Sequence, residues 1–301
     1  MTADRPHQPM AGSAAEMNIF ELCGPLPAVG VTLLEASAGT GKTFAIAALA
    51  ARMVAAGHAI EDLLIVTFTR AAASELRSKV RVRLESSAKA LRHYQESREL
   101  PHDEVDQLLC HSDDLSLVIS RLNKAVSDID LATIATLHEY SARMLAELGI
   151  LADHDPASKF VDDLHDLVDE VVEDVIAAGG YRSAAATRER NWLARPLAIA
   201  QQVCEFPSWR IVPEDHVDYK FAVKVRAQFE ARKRRIGVHG YSDMVERLQD
   251  ALSDPHTGDL AAATLARRFP VVLVDEFQDT DPSQWQILRR AFAKRSTVIL
   301  I

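Results

Sequence analysis

Two short stretches of this 301-residue chain carry residue types and spacings suited to phosphate chemistry. Ala36-Ser37-Ala38-Gly39-Thr40-Gly41-Lys42-Thr43 fits the phosphate-binding loop G-x-x-x-x-G-K-[ST], except that Ala36 stands where the first glycine usually does. Small residues let successive backbone N–H groups turn inward as an anion nest and aim a helix N-terminus at a β-phosphate. Lys42 would then pair with the β- and γ-phosphates, and the Thr43 hydroxyl would ligate Mg²⁺. Far along the chain, Asp275-Glu276 follows the apolar run Val271-Val272-Leu273-Val274, so two carboxylates emerge at the end of a buried strand. Alone they would read as an acidic turn. Beside a phosphate loop, Asp275 becomes a magnesium ligand acting through water, and Glu276 the group that orients and deprotonates an attacking water. ATP and Mg²⁺ are therefore the expected small molecules. Kinases, GTPases and ATPases all use such sites, so these residues leave the task open.

The elements that must position them can be read from hydrophobic pattern. Val31–Glu35 is a strand candidate, and from Lys42 to Ala56 the residues are strong helix formers. Leu63–Phe68 is a second strand, followed by a helix from Ala71 to about Arg92. A third strand, Leu131–Ala135, leads to a helix from about Glu139 to Leu148. A fourth, Val271–Val274, precedes a helix over Ser283–Phe292, and a fifth, Thr297–Ile301, comes last. Alternating strands and helices require an α/β fold with a parallel sheet. Between about Leu148 and Gly240 the pattern is amphipathic helix broken by Pro156, Pro196, Pro207 and Pro213, without a convincing strand, and helices over Tyr241–Leu252 and Leu260–Arg268 return the chain to the sheet. The expected division is a flexible tail over 1–18, a first part of the lobe over 19–147, an all-helical insertion over 148–239, and a second part over 240–301.

Composition narrows the class. Apolar residues at 48 % and charged residues at 26 % exclude a disordered chain, and no apolar run reaches the roughly 20 residues a membrane crossing needs. Met1 to Met17 lacks a continuous apolar segment, so a secretory signal is not expected and the chain reads as cytoplasmic. Cys23, Cys110 and Cys204 are far apart and form no C-x-x-C pair, which fits reduced, structural cysteines. A net charge of −9 argues against a broad polyanion-binding surface. The basic runs Arg77, Lys79, Arg81, Arg83 and Arg232-Lys233-Arg234-Arg235 read first as solvated helix faces.

The residues flanking the two phosphate motifs carry a resemblance. Asp275-Glu276-Phe277-Gln278-Asp279-Thr280 resembles helicase motif II of superfamily 1, in the form D-E-[FY]-Q-D-T of the UvrD/RecB group. Thr67-Phe68-Thr69, with Ala71-Ala72-Ala73 and Glu75-Leu76-Arg77 after it, looks like motif Ia, and Thr136-Leu137-His138-Glu139-Tyr140 resembles the element T-[FIL]-H-x-[FY]. Glu35 to Thr43, the Ala36 departure included, the extension Asp281-Pro282, and Gly240-Tyr241-Ser242-Asp243-Met244 are similar to the RecB-type branch, with AddA-type and UvrD-type helicases as the neighbouring alternative. The resemblance implies a RecA-like P-loop NTPase lobe with a helical insertion, from a 3′–5′ ATP-dependent DNA helicase of recombinational repair. It implies DNA, as a single strand and a duplex end, and RecC-like and RecD-like subunits as partners, with no membrane. In it Gln278 senses the γ-phosphate beside Lys42 and Glu276, and Thr67, Phe68, Thr69 and His138 lie along a single-strand track. By their own pattern, Phe68 suits the core of its strand better than a base-stacking platform, and His138 suits a helix start equally well.

Three departures accompany it. No Gln lies between Met10 and Ala36, where UvrD-like motors carry the residue that reads adenine. The family's later motifs, its ATP-contacting arginines and a nuclease domain have no counterpart before Ile301, so the chain is expected to stop short of a complete motor, to bind ATP weakly and not to unwind. Asp218-Tyr219-Lys220 looks like a nuclease tripeptide but lacks upstream metal-binding carboxylates. A non-motor binding module and a small-molecule P-loop kinase remain as the other classes.

Overall fold

The computed structural model describes residues 20–35, 41–149, 159–179, 181, 192–205, 210–211, 213–216 and 218–301. Its centre is a sheet of five parallel strands in the order β1-β7-β6-β2-β3: β1 Gly30–Leu33, β2 Leu63–Thr67, β3 Thr133–Thr136, β6 Val271–Val274 and β7 Thr297–Leu300. Parallel strands covered on both faces need apolar residues on both faces, and β2, β6 and β7 are buried at every position. The period of two then sorts them. Leu63, Ile65, Val271, Leu273, Ile299 and Ile301 join one core; Leu64, Val66, Val272, Val274, Val298 and Leu300 join the other.

The first core is closed by α1 Lys42–Ala56, α2 Arg70–Ser97, α3 Glu104–Cys110 and α4 Leu115–Ser127. The second is closed by α5 Leu137–Leu148, α9 Tyr241–Ser253, α10 Gly258–Arg268 and α11 Pro282–Phe292. Helix starts follow local chemistry. The hydroxyl of Thr69 accepts from Ala72 N at 3.1 Å at the head of α2, Thr136 and Glu139 form a reciprocal capping box on α5, and Asp281 caps α11 with Pro282 behind it.

Between the lobe's two parts, α6 His165–Ala177, α7 Ala194–Glu205 and α8 Tyr219–Ile236 pack on a third core built from Val171, Val172, Val175, Ala200, Phe221, Val225 and Phe229. The expectation of a strand-free stretch is corrected here. Lys159–Phe160 (β4) and Val238–His239 (β5) form a two-residue parallel pair where the helical part joins the lobe. Two-residue strands carry too little alternation to register in a sequence. Lys233, on α8, is buried and pairs with Asp243 of α9 at 2.6 Å and with Glu230 at 2.7 Å, tying the insertion to the lobe.

Two readings of charge also change. Arg83 is buried against Asp103 and Asp106, and Arg77 donates to the carbonyls of Ile129, Ala132 and Ile134, so that basic run is not simply a solvated face. In the second run, Arg232 meets Glu170 and Asp174 while Lys233 is buried. Burial pushes the Cys204 thiol up to about 12. Among the described residues no helix is long and apolar enough to cross a membrane, and no group of three His, Cys, Asp or Glu side chains could hold a metal ion on its own. Asp218 is taken up by Arg195 at 2.6 Å at the start of α8.

Candidate functional site

The head of α1 meets the acidic pair at the carboxyl ends of the strands. Ala36, Ser37, Ala38, Gly39 and Thr40 lie outside the described residues. Gly41 sits at φ 86°, a left-handed conformation that glycine adopts without a Cβ clash, and hands the chain to Lys42 at the head of α1. The first turn of α1 holds no acidic residue. Its free N–H groups and positive dipole end therefore favour an anion.

Lys42 Nζ lies 3.0 Å from Glu276 Oε2, across 234 positions of sequence. The backbone of the acidic pair is stitched to its neighbours: Asp275 N donates to Val66 O at 2.8 Å and Phe277 N to Ile301 O at 2.9 Å. Thr67, itself buried, aims its hydroxyl at Asp275 Oδ2 at 3.4 Å, and the Gln278 amide donates to the Glu276 carboxylate. Glu276 holds a left-handed φ of 52°, a strained conformation for a residue with a Cβ.

The two carboxylates are pushed in opposite directions. Burial, reinforced by the Glu276 charge, raises Asp275 above the ordinary aspartate range. The hydrogen bond from Gln278, then that from Lys42, lowers Glu276. Adjacent acids with divergent environments can take different roles. A half-desolvated Asp275 carboxylate that Lys42 only partly offsets would gain from a hard divalent cation. The Thr43 hydroxyl, one residue past Lys42, supplies a second oxygen of the kind Mg²⁺ prefers. The residues present therefore fit a magnesium–nucleotide site.

Of the residues assigned to a single-strand track, Thr67 and Thr69 have their hydroxyls engaged within the lobe. Thr67 points at Asp275, and Thr69 accepts from Ala72 N at the helix cap. Phe68 is 56 % exposed, which corrects the core reading. It follows the last residue of β2, where the chain has already left the sheet. His138 is the second residue of α5, and its side chain lies outside the described residues. Sequence reasoning missed a cleft that begins at Arg70, on the first turn of α2. Arg70, Glu139, Leu145, Phe160, Tyr241 and Arg247 line a cavity of about 380 Å³ between α5, α9 and the small strand pair. Arg70 donates to Glu139 Oε1 at 3.1 Å and to the Tyr241 hydroxyl, and the Phe160 and Tyr241 rings meet edge-on at 4.9 Å. The usable signal was Gly240-Tyr241-Ser242-Asp243-Met244, singled out without a task for its aromatic residue.

The UvrD/REP helicase N-terminal domain family matches residues 25–301. The chain is 41 % identical over 298 residues to the RecBCD enzyme subunit RecB of Mycolicibacterium smegmatis, covering 95 % of this chain and 26 % of that protein. It is 40 % identical over 296 residues to the same-named subunit of Mycobacterium tuberculosis, again 95 % and 26 %. To the Escherichia coli subunit it is 26 % identical over 403 residues, covering 92 % of this chain and 34 % of that one. The chain thus spans about a quarter of the length of the mycobacterial relatives it matches. By the family match over nearly its whole length, and by its likeness to these subunits, the chain belongs to the UvrD/REP helicase family in its RecB-type branch.

Proposed function

We propose that this chain is the ATP-binding motor lobe of a RecB-like, 3′–5′ ATP-dependent DNA helicase acting in double-strand-break repair and recombination. Its parts are a RecA-like lobe over 19–147 and 240–301 and an insertion over 148–239. The observation that carries the reading is the meeting of Lys42 with the Asp275-Glu276 pair at the mouth of one parallel sheet. Polarity, the DNA partner, the RecC-like and RecD-like subunits and a cytoplasmic setting rest on likeness to RecB.

Bound Mg·ATP supplies the scissile phosphoanhydride and the charge that draws Lys42. Residues 36–43, ending in Lys42 and Thr43, would hold the phosphates, and Thr43 and Asp275 would hold the metal. Lys42 and Gln278 both hold Glu276, and their hydrogen bonds keep its basicity low. When Lys42 turns to the phosphates, Glu276 loses one partner and its affinity for a proton rises toward the ordinary glutamate range. The carboxylate is then a better acceptor for a proton from attacking water, and Gln278 couples its position to the phosphate. Thr67, Phe68, Thr69 and His138 are the residues that likeness to the family assigns to a single-strand track. Exposed Phe68, and Arg70 and Tyr241 in the cleft between α5, α9 and the small strand pair, offer the stacking and phosphate contacts a sequence-independent track needs.

The test is nucleotide binding and single-strand-stimulated ATP hydrolysis by the 301-residue chain. Lys42→Ala should abolish Mg·ATP binding. Glu276→Gln should keep binding and lower residual hydrolysis by roughly 10²-fold or more. Binding without hydrolysis in the unaltered chain identifies a binding module, and phosphoryl transfer to a small molecule in place of water would sink the helicase reading.

A further inference from the structure

Arg70, the first residue of α2, has a side chain 65 % exposed, yet oxygens from α5, α9 and the segment after β4 converge on it. Its Nε–H donates to Glu139 Oε1 at 3.1 Å, one Nη donates to the Tyr241 hydroxyl, and the same Nη lies 3.7 Å from Asp162 Oδ1. The two carboxylates are held differently. Glu139 Oε2 also accepts from Thr136 N at 3.1 Å in the capping box of α5, so Glu139 is fixed by the helix it starts. Asp162 makes the longer contact and is as exposed as Arg70. What precedes it sets its place: Val161 N donates to His239 O at 3.0 Å, and the Phe160 ring meets Tyr241 edge-on at 4.9 Å. A hydrogen bond to Asp162, helped by burial, raises the Tyr241 phenol above the ordinary tyrosine range. Beneath this network lies the cavity of about 380 Å³, with Ala142, Leu145 and Met244 among its apolar walls.

Resting on the single-strand reading above, in which Arg70 meets a phosphate of the DNA, we propose that Glu139 and Asp162 form an acidic gate: they cover the Arg70 guanidinium where that phosphate would sit, and the strand enters by displacing Asp162. A carboxylate and a phosphate offer a guanidinium the same kind of paired acceptor oxygens, so they compete for one set of N–H groups. Glu139, anchored by the helix cap, keeps the guanidinium aimed across the cleft. Asp162, farther away and in water, is the partner that leaves. The fraction of molecules in which Arg70 is covered lowers the apparent affinity for the strand by the same factor. A strand recovers that loss only by contacts a loose polyanion lacks, such as a base placed in the apolar cavity. Asp162 stands at the join of the helical part with the lobe, so entry of the strand also releases an ion pair across that join.

The experiment measures binding of a fluorescein-labelled oligothymidylate of about 15 nucleotides, the upper end of a single-strand site, to the 301-residue chain by fluorescence anisotropy at low and at physiological salt. The proteins are the unaltered chain, Asp162→Asn, Arg70→Ala and the double variant. Asp162→Asn removes the charge and keeps a hydrogen-bond acceptor for Tyr241. It should tighten binding roughly twofold to sixfold, the range one exposed ion pair supplies, with the gain shrinking as salt rises. Arg70→Ala should weaken binding, and adding Asp162→Asn to it should change nothing further. An equal gain with Arg70 absent would overturn the gate, because Asp162 would then act on the strand from a distance. An Asp162→Asn variant that binds no more tightly than the unaltered chain, beside a weakened Arg70→Ala, would overturn the gate and leave Arg70 on the track. If Arg70→Ala binds as well as the unaltered chain, or if the unaltered chain binds no oligonucleotide, the single-strand reading of this cleft fails and the gate with it.

Discussion

At the scale of single residues, the acidic pair sets function against stability. Asp275 carries a raised pKa because burial and the Glu276 charge penalise its anion. A carboxylate that binds its proton more tightly folded than unfolded stabilises the fold most when protonated. Its contribution therefore falls as pH rises from the ordinary aspartate value through the raised one. Asp275→Asn, which removes the penalised charge, should raise the melting temperature of the nucleotide-free protein at pH 7, by about 2 °C for each kcal/mol relieved, while removing Mg²⁺-dependent nucleotide binding. Differential scanning calorimetry with and without Mg·ATP reads both effects, and a lower melting temperature in the asparagine variant would contradict the assignment. Glu276 gives a second case. Its left-handed backbone costs about 1 kcal/mol, so Glu276→Gly should be more stable than Glu276→Gln by roughly that amount, as measured by urea unfolding, although both lose the Lys42 ion pair.

At the scale of elements, the join between insertion and lobe rests on a buried cation. Lys233 and Asp243 have side chains 3 % and 14 % exposed, and removing Asp243 leaves the buried ammonium with Glu230 alone, at 2.7 Å, among its described ion-pair partners. Asp243→Ala should cost about 3 kcal/mol in chemical denaturation, and adding Lys233→Met should recover much of it. An additive double variant would show that the pair does not act as a unit. The same join marks where the sequence could be read and where it could not. The strands of the large sheet are runs of Val, Ile and Leu, so β2, β6 and β7 and the helices after them were legible. The pair β4 and β5 was not, because its strands are two residues long and its partners are about 79 positions apart, Lys159 with Val238. Helices α3 and α4 went unread because their polar faces hide short apolar stripes, although Asp103 and Asp114 cap them. Phe68 was misjudged for a related reason: a strand buried on both faces gives no alternation to show where burial stops. At the candidate site, the chemistry of Lys42, Asp275 and Glu276 was legible from motif spacing, whereas the cleft contacts of Arg70 and Tyr241 depend on packing no local pattern encodes.

At the scale of the whole molecule, β7 is the keystone of the sheet. It lies between β1 and β6, and among the described residues β1 pairs with no other strand. Beyond it, Ile301 donates to Val274 O and accepts from Phe277 N, each at 2.9 Å, bracing the backbone that presents Asp275 and Glu276. Deleting residues 297–301 should leave β1 without a partner, and Mg·ATP binding should be lost together with a single cooperative unfolding transition. Retention of both would show that β1 holds its place through α1 alone.

This strand order also imposes a timetable on synthesis. The ribosome makes β1 before the insertion and its sheet partner β7 after it, so the earlier-made part of the pocket must wait, through the translation of the whole insertion, for a neighbour to dock against. A nascent chain cannot hold nucleotide until that last strand has emerged, and until then the polar edge of β1 is open to any other strand that reaches it.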